Sequence, residues 1–248
     1  IACLFFSLMD AVMKRLAADF PAIQVTALRA MSSLPIIVAY GSWRGAWPSL
    51  WQVRWPLHVF RVFLGVLMLT LFSFALKHLP LTEAYTLFYI SPLAIAVLSM
   101  PLLGEKVAKA SWIAISVGLV GVLVVLKPTG HGMASLSGLA ILAAALCYAF
   151  SAITVRFLSR TDSTESMVFW LMLGVSVVAG LMAFQDWVPI LPHHYGLLVA
   201  LAITGFVGQI TITEAFKWAP SATVTPFEYS ALVWSLGLDL VIWSTLPD

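Results

Sequence analysis

Charge is what this chain has least of. Only 10% of its 248 residues are charged and 61% are hydrophobic, whereas a water-soluble domain carries roughly 25% charged residues. That deficit excludes a globule with a polar surface, so the solvent is lipid. The net charge of +2, with no continuous basic patch, argues against a nucleic-acid partner. Cysteine is nearly absent. Cys3 and Cys147 both lie in apolar segments, their spacing fits neither a metal site nor a disulfide framework, and they read as small apolar residues. The histidines, His58, His78, His131, His193 and His194, stand near segment ends or in connections. His-Glu-x-x-His, Gly-x-Ser-x-Gly and phosphate-loop motifs do not occur, which argues against a zinc protease, a serine hydrolase and an ATP-driven pump.

Long apolar runs are what remains. A spanning helix needs about 20 mostly apolar residues. Nine segments qualify: Ile1–Ala17, Ile23–Trp43, Leu57–Leu76, Leu81–Leu103, Ala108–Leu126, Leu136–Leu158, Ser166–Phe184, Tyr195–Phe216 and Ser221–Leu246. The runs are twice as long as barrel strands and do not alternate apolar with polar, so a β-barrel is excluded. Connections are short, which leaves no room for a soluble domain. The longest, Arg44–Pro56, carries Trp47, Trp51 and Trp55 just after Trp43, which suits a belt at the headgroups. Asp10 and Lys14 interrupt the first run and no small-residue cleavage site follows, so it is not a signal peptide. The chain opens at Ile1 without Met and stops at Leu246-Pro247-Asp248; the expectation is a piece truncated at both ends.

Basic residues orient the spans. With the first span starting in the cytoplasm, Arg44, Arg54, Arg61, Lys106, Lys109, Arg156, Arg160 and Lys217 fall inside. Lys14, Arg15, Lys77 and Lys127 fall outside, and Arg29 lies within a span. The excess favours this orientation.

The run Ala75-Leu76-Lys77-His78-Leu79-Pro80 returns 140 residues later as Ala215-Phe216-Lys217-Trp218-Ala219-Pro220. Tyr89 meets Tyr229 at the same shift, and the stretch from Phe6-Ser7 to Lys14 resembles that from Tyr148-Ala149 to Arg156 at a shift of 142. Five spans precede the Lys127–Met133 connection and four follow. The organisation expected is a first repeat over 1–127, a linker over 128–135 and a second repeat over 136–248 that lacks its fifth span. A unit with an odd number of spans enters the membrane in opposite senses in its two copies. That makes an all-α membrane bundle of two inverted-topology five-helix repeats, the plan that supports alternating access around a midplane site.

Several stretches carry a family resemblance. They are Ala75 to Pro80, Leu103-Gly104-Glu105-Lys106 closing the fourth span, and Gly118-Leu119-Val120-Gly121-Val122 in the fifth. Ala145-Leu146-Cys147-Tyr148-Ala149 in the sixth and the run Ala219 to Tyr229 in the ninth complete the set. In this order they resemble the drug/metabolite transporter superfamily, specifically its ten-span EamA-type members. The resemblance implies two helix-bundle repeats, no cofactor, and secondary transport of small metabolites: amino acids and their derivatives, S-adenosylmethionine, riboflavin or metallophores. It also implies a multi-pass protein of the bacterial inner membrane, with the homodimer one possible assembly. The chain departs from the pattern where the tenth span is absent, where Ser244-Thr245 replaces a second Gly-Glu, and where Asp239 replaces a small or apolar residue.

Charges at bilayer depth cost roughly 2.5–3.5 kcal/mol each on insertion scales, so each needs a reason. Glu228 lies about two turns into the ninth span, two residues after Pro226. A proline there removes a donor and frees a carbonyl of the preceding turn, so Pro226 is a hinge candidate, as is Pro92 in the fourth span. A carboxylate beside free carbonyls suits a cationic substrate or a coupling proton; the competing reading is a structural carboxylate. Arg29, about two turns into the second span, has only apolar residues opposite it around Trp170 and Leu171. Arg29 and Glu228 are thus singletons, one per half, able to bind both ends of a zwitterion, unless Arg29 reaches a headgroup instead. Asp10 and Lys14 are spaced for a helical ion pair. Asp239 lies eleven residues beyond Glu228 on the same face and extends a polar track. Glu83 and Glu214, near span ends, read as interfacial. Tyr85, Phe88, Tyr89, Trp170, Phe227 and Tyr229 gather near the proposed centre, where aromatic walls suit planar or cationic substrates or simply pack helices. Gly118 with Ala114, and Gly205 with Gly208, offer surfaces for close helix approach.

A gradient-coupled, proton-driven transporter of cationic or zwitterionic metabolites fits these features best. A membrane enzyme on lipid-linked substrates requires polar residues clustered at one face. A channel subunit requires repeated polar rings. Neither pattern is present.

Overall fold

The computed structural model describes residues 1–76, 78–79, 81–126, 135–238 and 240–241. Among them the chain is all helix: α1 (Ala2–Leu16), α2 (Ala22–Trp43), α3 (Trp47–Trp51), α4 (Trp55–Leu76), α5 (Leu81–Phe88) and α6 (Ser91–Leu103). Then come α7 (Lys109–Leu126), α8 (Leu136–Leu158), α9 (Thr164–Ala183), α10 (Tyr195–Trp218), α11 (Ser221–Val224) and α12 (Ser230–Leu238). A 3-10 turn, Thr225–Tyr229, joins the last two.

The local chemistry sets the ends. Ser163 caps α9, accepting from the Ser166 amide at 3.2 Å, with Glu165 in the first turn. Ser135 caps α8 by accepting from the Gly138 amide at 3.1 Å. Gly104 ends α6 at φ +69°, a left-handed conformation that favours glycine. At the return of the Ala-x-Lys-x-x-Pro motif, Ala219 is extended before Pro220 and α11 starts immediately after. In the first copy of the motif, Lys77 and Pro80 lie outside the described residues.

Seven described helical segments are long and apolar enough to cross a membrane, not nine. The first expected span is α1, 15 residues as described. The ninth is broken into α11, the 3-10 turn and α12, because Pro226 cannot continue the helical ladder. The fourth is continuous in direction but interrupted at Tyr89-Ile90, just before Pro92. The Arg44–Pro56 connection contains a short helix, α3, with Pro48 in its first turn.

Helix contacts fall into matched pairs. α4 packs on α8 as α1 packs on α10; α6 packs on α8 as α1 packs on α12; α4 packs on α9 as α10 packs on α2; and α2 packs on α9. Each pairing in one half has its counterpart with the halves exchanged. Small residues set the closest approaches, as required where lipid provides no hydrophobic drive between helices. A Cβ on Gly65 of α4 would lie 3.7 Å from Val175 of α9, and one on Gly205 of α10 would lie 3.0 Å from Ser33 of α2. Gly65 and Gly205 are 140 residues apart, and Ser33 and Val175 are 142 apart. Ile113, Val117, Val120 and Val124 form an exposed apolar stripe on α7, a face suited to acyl chains.

Candidate functional site

The matched helices enclose a cavity of about 340 Å³. Its walls come from α1, α2, α4, α5, α6, α8, α9, α10, α12 and the 3-10 turn. At one end Asp10 and Tyr85 are exposed. The other end is closed by a buried cluster that includes Val155, Leu158, Met167 and Phe216.

Glu228 projects into this cavity from the 3-10 turn. Tyr148 of α8 donates its hydroxyl to Glu228 Oε1 at 3.1 Å. Side-chain donors reach carbonyls on the C-terminal side of Pro226. The Phe227 carbonyl accepts from Ser230 Oγ at 2.6 Å and from Cys3 Sγ at 3.2 Å, and the Ala231 carbonyl accepts from Ser7 Oγ at 3.1 Å. Cys3 and Ser7 thereby tie α1 to the 3-10 turn and to the start of α12. Pro92 is buried in the first turn of α6, beside the interruption in the fourth span.

Arg29 also lines the cavity, as does Asp10. Lys14 stands one turn beyond Asp10, exposed at the end of α1 and away from the cavity lining. Asp239 lies outside the described residues.

Phe88 and Tyr89 line the cavity. Tyr229 does not: it stacks on Tyr89 with ring centroids 6.0 Å apart, one layer behind the wall. Phe227 points outward and is exposed. Trp170, expected near the centre, is instead part of the tryptophan group. Its Nε1 donates to the Leu50 carbonyl at 2.7 Å, and its ring meets Trp51 and Trp55. The indole finds its acceptor at the end of α3, a helix that the sequence reading treats as loop. Glu83, expected to be interfacial, is 3% exposed at the start of α5. Glu214 accepts from Thr164 Oγ1 and from Trp218 Nε1 at the end of α10.

Sequence reasoning missed three cavity groups: Arg61, Tyr148 and Gln209. Arg61 was counted among the inside charges, but it lies six residues into α4, is 4% exposed, and shares a helix face with Gly65, Met68 and Leu69. That spacing was available in the sequence.

The cavity is matched in shape and mismatched in charge. Under the 140- and 142-residue shifts, Asp10 corresponds to Ala152, Arg29 to Leu171, Arg61 to Leu201, Gln209 to Leu69, and Glu228 to Phe88. Each of these polar groups thus has an apolar counterpart in the other half.

A polar tie lies beneath the closed end. Glu105, placed by the left-handed turn at Gly104, accepts from Arg156 Nε at 3.1 Å and from the Ser221 amide at 2.8 Å. Arg156 Nη1 donates to the carbonyls of Phe216 and Lys217 at 3.3 and 2.9 Å. This one pair holds together the ends of α6, α8, α10 and α11.

Comparison with known proteins follows the same division. The EamA-like transporter family matches residues 1–127 and again 136–247. The chain is 28% identical over 249 residues to the pseudopaline exporter CntI of Pseudomonas aeruginosa, covering 100% of this chain and 87% of that protein. It is 27% identical over 250 residues to a riboflavin transporter of Vibrio cholerae, covering 99% and 84%. It is 26% identical over 246 residues to an S-adenosylmethionine uptake transporter of Rickettsia prowazekii, covering 98% and 82%. A solved crystal structure, 24% identical, superposes with a TM-score of 0.87 over 100% of this chain and 88% of its own, which shows the shared fold. These relatives are named as transporters rather than enzymes. With its apolar spans and its match along nearly the whole sequence, the chain belongs to the EamA-like transporter family, of the drug/metabolite transporter type, and is a multi-pass integral membrane transporter.

Proposed function

We propose that this protein is a secondary active transporter of small metabolites in the bacterial inner membrane, working by alternating access and coupled to protons through Glu228. One observation carries the reading: a cavity between matched helix pairs holds two acids and two bases, open at one end and tied shut at the other. The relatives' substrates, pseudopaline, riboflavin and S-adenosylmethionine, are polar metabolites of a size that needs such a cavity.

The two halves are the moving parts in this reading. Residues 1–127 and 136–248 are inverted repeats, so exchanging their conformations closes the open end and opens the tied one. The closed end carries Arg54, Arg156 and Lys217, which assigns it to the cytoplasm; the state described is then outward-facing. Glu228 takes a proton from the open end, and as a neutral carboxyl it crosses the low-dielectric interior at far lower cost than as an anion. Substrate and proton compete for, or share, the same carboxyl. Arg29 and Asp10 contribute fixed charge of both signs, while Phe88 and Tyr89 provide flat apolar wall.

The test is a screen in proteoliposomes. Purified protein is presented with amino acids, riboflavin and S-adenosylmethionine under an imposed pH gradient. Accumulation that collapses on adding a protonophore supports the reading. Flux that proceeds only down the substrate's own gradient, indifferent to the protonophore, contradicts the coupling.

A further inference from the structure

Arg61 is the cavity group whose charge the described protein balances least. It is 4% exposed, and its Nη1 donates to the Met167 backbone carbonyl at 3.1 Å. Its Nε is buried with no acceptor among the described residues. Arg156, by contrast, is met by an acid, Glu105, at 3.1 Å. A guanidinium presents five donors in a fixed planar fork. Held under protein without an anion, it is costly unless something enters the cavity to meet it.

The surroundings say what that something is. Tyr148 lines the same cavity as Arg61 and donates to Glu228 Oε1 at 3.1 Å, so one wall system carries cation, phenol and acid. Asp10 and Glu228 balance Arg29 and Arg61 in formal charge. A dianion such as a phosphate would face two acids. A carboxylate bound at Arg61, with an amine on the same molecule directed toward Glu228 or Asp10, leaves the cavity neutral. The fork matches a carboxylate in a bidentate manner, and the counterpart of Arg61 in the other half is Leu201, so the site is single.

We infer that Arg61 is the carboxylate-binding group of the cavity and that the molecule it meets carries a carboxylate. This inference rests on the transporter reading but is tested by binding rather than by flux, so the two fail separately.

The experiment is thermal unfolding of the purified full chain in detergent. The probes are L-phenylalanine, L-methionine, L-glutamate and 3-phenylpropanoate, each against its amide. At least one carboxylate is expected to raise the melting temperature while its amide does not. Arg61→Met should raise the half-saturating concentration of that carboxylate by roughly 10- to 100-fold, the loss of a charge-assisted pair. Arg61→Lys should fall between, keeping the charge and losing the fork. If Arg61→Met does not fold, the Arg61→Lys shift together with the carboxylate–amide contrast decides. Equal stabilisation by acid and amide, unchanged affinity in Arg61→Lys and Arg61→Met, or no response to any carboxylate overturns the assignment. Binding as predicted without any flux would leave Arg61 in place and remove the transporter mechanism instead.

Discussion

Tyr229 donates its hydroxyl to the backbone carbonyl of Tyr89 at 3.2 Å, and the two residues are 140 positions apart. Their rings stack, and a Cβ on Gly118 of α7 would lie 2.2 Å from the Tyr229 ring. The repeat shift seen in the sequence is therefore also a contact: equivalent tyrosines of the two halves meet behind the cavity wall, and glycine makes the room. Gly118→Ala should destabilise the protein by about 1–3 kcal/mol through overpacking. Pairing it with Tyr229→Ala should remove most of that added cost, because the clash has no second source. Denaturation midpoints of the two single variants and the double variant check this. Simple additivity would show that Gly118 and Tyr229 do not press on one another.

Asp10 and Arg29 line the same cavity. Removing either one leaves the other as an isolated charge at membrane depth. Asp10→Asn and Arg29→Ala should each lower stability, and the double variant should recover part of the loss. A coupling of roughly 0.5–3 kcal/mol is expected for charges in one network. Thermal unfolding of the four proteins gives the coupling. A value near zero would return Arg29 to the role of a residue that merely reaches toward lipid.

Much of this was legible in the sequence, for physical reasons that also mark where reading fails. Span positions follow from apolar length, so α8 was expected over its observed range, Leu136–Leu158, and most other helices within two residues of theirs. The fold class needed only that. Glu228, Arg29 and Asp10 stood out because charge at membrane depth is rare in any apolar run. Arg61 carries the same signal, but it sits near a span end, where basic residues usually orient helices rather than line cavities. Trp170 misled in the opposite way. An aromatic near the repeat centre in sequence lies in the tryptophan group in space, because α3 brings the Leu50 carbonyl within 2.7 Å of its indole. Pro226 marks a hinge in the ninth span from the sequence, but hydropathy does not report that the break takes the form of a 3-10 turn between two short helices.

Glu105 and Arg156 hold four helix ends together beneath the closed end of the cavity. The Arg156 side chain is 26% exposed and that of Glu105 10%, and the effect of the pair should appear in the balance between open and closed states. Glu105→Gln is expected to speed maleimide labelling of Phe216→Cys from the tied side, in a Cys3→Ser/Cys147→Ala background, because Phe216 belongs to the buried floor. Labelling at the parental rate would mean that the tie does not gate that end.

The central claim is that Glu228 couples transport to protons, with Tyr148 holding its carboxyl in place. The most direct measurement is substrate accumulation in proteoliposomes under an imposed pH gradient, comparing the parental protein with Glu228→Gln at equal incorporation. The account predicts that Glu228→Gln no longer accumulates substrate against its gradient, while its spectrum and melting behaviour stay those of a folded protein. Accumulation by Glu228→Gln at the parental level, with the parental dependence on pH, would contradict it.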